Sequence, residues 1–266
     1  MTSDTSDAPH GVKIQTVGNG PGNLVFLHGL MGRGKNFARF ARELSGERRV
    51  LLVDLPNHGA SAWTDSFDYK TMAAQVSAAI DAELGEQPYD LVGHSMGGKV
   101  AMTMALTDPE LIQRLMVVDI APAHSWESGG EFPHLLGSLK SVDLESVAHR
   151  TEVDEQLAGP IPHPTVRGFL MQNLRHHDGR FTWQPNLDLL YDNLDTIGGF
   201  PDFKTTFDRP VIWVAGSESR YIQDKDRPMM QKLFPQVRKV TVKGAGHWVH
   251  SQKPAEFTQL LRYFLD

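Results

Sequence analysis

The amino-acid sequence predicts an α/β fold, a mostly parallel sheet flanked by helices with an inserted helical cap. Three observations predict it. Short apolar runs alternate with helical stretches from Val12 to Pro122, the middle of the chain loses its buried-strand pattern, and that pattern resumes at Pro210. With 266 residues, 40% of them hydrophobic, the chain can fill one large core carrying a modest insertion.

The elements follow in order. Val12 to Val17 alternates like a strand, and Asn23 to His28 is a continuous apolar run suited to a sheet covered on both faces. Asn36 to Leu44 suits a helix, Arg49 to Leu55 a buried strand, and Met72 to Leu84 an alanine-rich helix. Tyr89 to Gly93 is a short strand running through Ser95 into a helix over about Met96 to Leu106, and Leu115 to Asp119 is the next strand. Between His124 and Phe207 the helical candidates are Leu144 to Leu157, Thr165 to Leu174 and Asn186 to Leu194, separated by turns rich in Gly, Pro and His. Pro210 to Gly216 and Val237 to Val242 complete the strands, with helices near Asp226 to Phe234 and Pro254 to Leu265. The expected organisation is residues 1–123 as the first part of the core, 124–207 as the cap and 208–266 as the second part of the core.

Composition excludes several chemistries. No cysteine is present, which removes disulfides, thiolate catalysis and zinc–thiolate sites. The 26 basic and 32 acidic side chains give a formal charge of −6, with no general attraction to nucleic acid or anionic lipid. Met1 to His10 is polar and acidic, without a signal-peptide pattern, and no apolar run is long enough to span a bilayer. A cytoplasmic protein without integral membrane association is the expectation.

Gly93-His94-Ser95-Met96-Gly97-Gly98 carries the chemistry. A serine at a sharp turn between strand and helix stands above the carboxyl edge of the sheet, which marks Ser95 as a nucleophile. His28-Gly29-Leu30-Met31-Gly32 supplies the other side of an anion pocket, so the backbone N–H groups of Leu30 and Met96 are the candidate oxyanion donors. His247, in Gly244-Ala245-Gly246-His247-Trp248 after the last strand, is the candidate base. The histidines form no clear metal-ligand motif, and this chemistry needs neither metal nor cofactor. Gly29, Gly34 and Lys35 match the start of a phosphate loop, but Asn36 stands where Ser or Thr is required.

The acid partner is less direct. The loop after Pro210 to Gly216 reads Ser217-Glu218-Ser219-Arg220, so Ser219 occupies the position at which an aspartate is expected. Asp119, at the end of the strand following Ser95, is the preferred acid and Glu218 the alternative, with Ser219 as an additional hydrogen-bonding member. Trp126, Phe132, Leu135, Leu136, Phe169, Leu170, Phe181, Trp183 and Trp248 are candidates to line or support an apolar acyl pocket. Arg175, His176 and His177, in a polar turn, are placed to meet an anionic part of a substrate.

The motifs together resemble the α/β-hydrolase superfamily, and more narrowly the small bacterial serine esterases related to abhydrolase-domain protein 11. The resemblance rests on His28-Gly29-Leu30, Val53 through Gly59, Gly93 through Lys99, Val118 through Pro122, Asp178 through Trp183 and Gly244 through His250. It implies a serine acyl-enzyme mechanism under a helical cap, the acid at Asp119 and a serine at Ser219. It also implies a small-molecule acyl ester or thioester as substrate. Pro56 stands where these relatives are often basic, a departure that affects local substrate contacts. Reactions sharing Ser95 and His247 include lactone or carbon–carbon cleavage, acyl transfer and perhydrolysis. A non-catalytic ligand-binding protein of the same fold is the alternative from another class.

Overall fold

The computed structural model describes residues 9–125 and 130–266. Its nine strands in chain order are β1 (Ile14–Val17), β2 (Gly22–Leu27), β3 (Arg48–Val53), β4 (Tyr89–His94), β5 (Ile112–Val118), β6 (Leu174–His177), β7 (Arg180–Trp183), β8 (Val211–Gly216) and β9 (Val237–Val242). Seven of them form one sheet in the order β1-β3-β2-β4-β5-β8-β9. Only β1 runs antiparallel, paired with β3; the other pairs are parallel.

Apolar runs without alternation are explained by cover on both faces. Successive strand residues point to opposite sides. Val25, Leu27, Leu51, Val53, Leu91 and Val117 enter one core, while Leu24, Phe26, Val50, Leu52, Val92 and Val118 enter the other. Helices α1 (Ala38–Leu44), α2 (Tyr69–Leu84) and α3 (Met96–Thr107) follow β2, β3 and β4. The segment between β5 and β8 holds α4 (Phe132–Lys140), α5 (Arg150–Ala158), α6 (Pro164–Met171), the β6–β7 hairpin, α7 (Leu187–Asp192) and α8 (Leu194–Gly198). The chain closes with α9 (Arg227–Leu233), α10 (Val249–Gln252) and α11 (Pro254–Leu265), the last packing Phe257 edge-on to Phe40 of α1 with ring centroids 4.9 Å apart. Among the described residues no helix is long and apolar enough to cross a membrane.

Two expectations in the 124–207 region need correction. The helix expected from Leu144 begins only at Arg150, because Asp143 turns the chain: its carboxylate accepts the Glu145 N–H at 3.2 Å and its carbonyl accepts the Ser146 hydroxyl at 3.0 Å. His176 and His177 lie in β6 rather than in a turn. The turn is Asp178-Gly179, both at positive φ (50° and 76°), as a two-residue hairpin connection requires. α4 is an element the sequence pattern did not reveal.

Polar ties hold this segment against the sheet. Asn173 Nδ2 donates to the Met31 carbonyl at 2.8 Å, Asn186 N–H to the Asn57 carbonyl at 3.0 Å, and Tyr69 hydroxyl to the Ile197 carbonyl at 2.7 Å. Lys99, buried in α3, donates from one ammonium to the carbonyls of Ala123 (3.1 Å), Gly198 and Gly199 (2.8 Å). Its charge thereby meets the carboxyl end of α8, where carbonyls lack helical partners.

Candidate active site

Ser95 joins β4 to α3 at φ 54° and ψ −122°, a left-handed conformation for a residue with a side chain. The turn closes only around glycine: a Cβ on Gly97 would stand 2.4 Å from the His28 carbonyl oxygen, and one on Gly93 2.3 Å from that of Gly97. This close approach places the buried Ser95 at the carboxyl edge of the sheet, where the loops after β2, β5, β8 and β9 converge.

His247, carried by the loop after β9, places Nε2 2.9 Å from Ser95 Oγ. Its Nδ1 lies 2.8 Å from Asp119 Oδ2. A carboxylate only accepts, so Nδ1 carries the proton and Nε2 is left to accept the Ser95 hydroxyl proton. Asp119 follows β5, also at positive φ (52°), and is fully buried. Its Oδ1 accepts the Gly216 N–H at 2.9 Å, and its Oδ2 accepts the Ser219 hydroxyl as well as His247. Ser219 stands in the loop after β8 and supplies a donor there, while the carboxylate comes from β5. Glu218 is exposed, with its backbone N–H bonded to the Ala245 carbonyl at 2.8 Å.

Buried neutral histidines surround this line. Leu55 N–H donates to His28 Nε2 at 2.9 Å, so His28 donates from Nδ1 to the Gly29 carbonyl at 2.8 Å. Burial pushes His28 down to about 4. His94 Nε2 donates to the His247 carbonyl at 2.9 Å, tying the His247 backbone to β4. Burial, reinforced by the neighbouring His250 and His247 rings, lowers His94 well below the usual range. His250 falls to about 3, again through burial first and His247 second. Tyr221 stacks on His247 with ring centroids 3.8 Å apart and planes at 19°. Tyr221 escaped the sequence reading; its signal was its place two residues beyond Ser219, in a loop at the carboxyl edge.

Among the described residues the N–H groups of Leu30 and Met96 donate to no backbone acceptor. Met96 opens α3, where the first N–H groups have no intrahelical partner. A cavity of about 10 Å³ beside Ser95 is lined by Gly29, Leu30, His247, Phe132, Phe169 and Trp248. It adjoins a groove of about 300 Å³ lined by Phe40, Val166, Phe169, Trp248 and Pro254, with Asn36 and Arg39 also along its wall. Phe169 and Trp248 border both spaces, their ring centroids 6.0 Å apart.

Other pocket candidates lie elsewhere. Phe181 packs on His176 at 4.6 Å between ring centroids, and Trp183 donates from Nε1 to the Leu139 carbonyl at 3.1 Å. Both support the hairpin rather than line the cavity at Ser95. Leu135, Leu136 and Leu170 belong to the buried core. Trp126 lies outside the described residues.

Comparison with known proteins finds relatives that match most of the chain. Mouse (Mus musculus) sn-1-specific diacylglycerol lipase ABHD11 is 39% identical over 248 residues, spanning 91% of this chain and 80% of the mouse chain. Esterase YbfF of Escherichia coli strain K12 is 28% identical over 257 residues, spanning 96% of this chain and 98% of its own. A solved structure named Marine microorganism esterase superposes with a TM-score of 0.91 at 34% identity, covering 95% of this chain and 98% of that one. Residues 24–260 match the alpha/beta hydrolase family, a span that takes in the strand–serine–helix turn, the carboxylate after β5 and the histidine after β9. By that match this chain belongs to the alpha/beta hydrolase family.

Proposed function

We propose that this protein is a serine carboxylic ester hydrolase, acting through an acyl-enzyme on Ser95. The observation that carries the reading is the hydrogen-bonded line from Ser95 Oγ through His247 to Asp119, with steps of 2.9 and 2.8 Å. Relatives named as lipase and esterase support the reaction class.

In this mechanism Ser95 Oγ attacks the acyl carbon and its proton passes to His247 Nε2. The carbonyl oxygen becomes an oxyanion that accepts the Leu30 and Met96 N–H groups. Collapse breaks the bond to the leaving alcohol or thiol, which takes the proton back from Nε2. Water then attacks the acyl carbon, gives a proton to His247, and the second collapse returns that proton to Ser95 as the carboxylic acid leaves. Asp119 holds the imidazole tautomer and stabilises the imidazolium, while Ser219 and the Gly216 N–H hold Asp119.

The space beside Ser95 has room for little more than one water. An acyl chain beyond the smallest therefore extends between Phe169 and Trp248 into the apolar groove. Esters, including glycerides suggested by the lipase relatives, and thioesters are the substrates to screen. Incubation with a fluorophosphonate, followed by peptide mass mapping, tests the reading. The expected result is one adduct on Ser95, blocked by His247→Ala, together with hydrolysis of acyl esters lost in Ser95→Ala. A folded protein that binds esters but neither labels nor turns over refutes it.

A further inference from the structure

A second cavity, of about 390 Å³, lies where the start of β1 and the turn after β2 meet the β6–β7 hairpin. Lys13, Arg33, Lys35 and Arg175 line it, with Asp54 and Gln184. One carboxylate thus faces four cations in a chain whose net charge is −6. That carboxylate is occupied: Asp54 Oδ1 accepts the Gly34 N–H at 2.7 Å and Oδ2 the Ala60 N–H at 2.8 Å.

We propose that this cavity is an anion site, built for a phosphate-bearing group. Arg33 is the central observation. Among the described residues its half-buried guanidinium has no hydrogen-bond acceptor, and its Nε is buried without a partner. Gln184 Oε1, in the same lining, is also buried without a partner. Buried polar groups are almost always satisfied, so a guanidinium left without an acceptor in this cationic cavity points to an anionic ligand. Arg175 is pinned by donating from Nη1 to the Gln172 and Leu174 carbonyls at 2.7 and 3.1 Å. Burial and the charge of Arg33 both act against the charge of Arg175. A dianion between the two guanidinium groups relieves that repulsion.

Phosphate fits this lining better than a lone carboxylate does. It offers three acceptor oxygens and enough charge to engage both guanidinium forks, with the Lys13 and Lys35 ammonium groups at the exposed rim. A half-turn of the Gln184 amide presents its NH₂ to the same oxygens. The loop after β2 walls both sites: Gly29, Leu30 and Gly32 line the cavity at Ser95, whereas Arg33 and Lys35 line this one. The phosphate comes either from a separate small molecule or from the far end of a substrate whose ester lies at Ser95.

Calorimetric titration of inorganic pyrophosphate into the full chain tests the site, beside Arg33→Gln, Lys35→Gln and the distant control Arg238→Gln. Expected are salt-sensitive binding to wild type, a loss of about tenfold or more in Arg33→Gln, a smaller loss in Lys35→Gln, and no change in Arg238→Gln. Lys35 is exposed, so its variant reports even if Arg33→Gln is poorly folded. Wild-type binding weaker than about 1 mM, or equal binding by all variants, overturns the proposal. A second arm compares hydrolysis of butyrylglycerol with that of butyrylglycerol 3-phosphate. A loss in Arg33→Gln confined to the phosphate ester assigns the anion to the substrate; pyrophosphate binding without such a loss assigns it to a separate ligand. Pyrophosphate binding does not depend on Ser95, so failure of the esterase reading leaves this test intact.

Discussion

Asp119 reaches His247 across 128 residues of sequence, its Oδ2 2.8 Å from the imidazole Nδ1 with both side chains buried. The contact makes the fifth strand, rather than the loop after β8, the source of the carboxylate. Asp119→Asn should lower kcat by about 10³–10⁴-fold, because an amide no longer stabilises the imidazolium or enforces its tautomer. Urea unfolding of the same variant separates this loss from a folding defect. Glu218→Gln should remain near wild type in turnover, since Glu218 is exposed.

Ser219→Ala removes one donor from Asp119 and leaves the Gly216 N–H in place. A hydrogen bond to a charged group is worth about 1.5–3 kcal/mol, so a fall of about 10- to 100-fold in kcat is the expected ceiling. The effect should fall on kcat and leave KM for a neutral ester nearly unchanged, because Ser219 does not line the cavity beside Ser95. Steady-state kinetics on one ester measures both.

Much of this site was legible because its chemistry is local in sequence. Gly93 through Gly98 encodes a turn that only glycine allows, and the runs ending at His28 and His94 encode strands buried on both faces. Asp119 was harder, because a carboxylate after β5 looks like any loop acid until Ser219 is seen in the competing position. The Asp178-Gly179 pair was a readable hairpin signal obscured by the histidines before it. The groove was not legible: Phe40, Val166 and Pro254 come from α1, α6 and α11, and no sequence period relates them.

Phe169→Ala should widen the passage between the cavity at Ser95 and the groove. The ratio of kcat/KM for a dodecanoyl ester to that for a butyryl ester should rise by about tenfold, an energy comparable to burying two methylenes. An unchanged ratio would place the acyl chain elsewhere. A chain-length series of 4-nitrophenyl esters provides the measurement.

Acid should destabilise the fold through its buried histidines. Burial lowers His28 to about 4, and His58 and His250 to about 3 each, against 6.5 in the unfolded chain. Above 6.5 both states are neutral and the full stability is present. As pH falls below 6.5, the unfolded chain takes up protons that the folded chain excludes. Each histidine then costs up to about 1.4 kcal/mol per pH unit until its folded value is reached. Urea midpoints should therefore fall steeply between pH 6 and about 4; constant midpoints across that window would contradict the buried neutral assignment.

Lys99→Met should destabilise the protein by about 2–4 kcal/mol, since it leaves the carbonyls of Ala123, Gly198 and Gly199 without their shared donor. Thermal unfolding measures the loss. Equal stability would show that those carbonyls find other donors.

The rate of ester hydrolysis in purified, folded Ser95→Ala is the decisive measurement for an acyl-enzyme on Ser95. A fall of at least about 10⁴-fold in kcat relative to wild type is expected, leaving only what binding and the oxyanion donors provide. A rate within about tenfold of wild type would contradict it, because no step of the acyl-enzyme mechanism survives without the Ser95 hydroxyl.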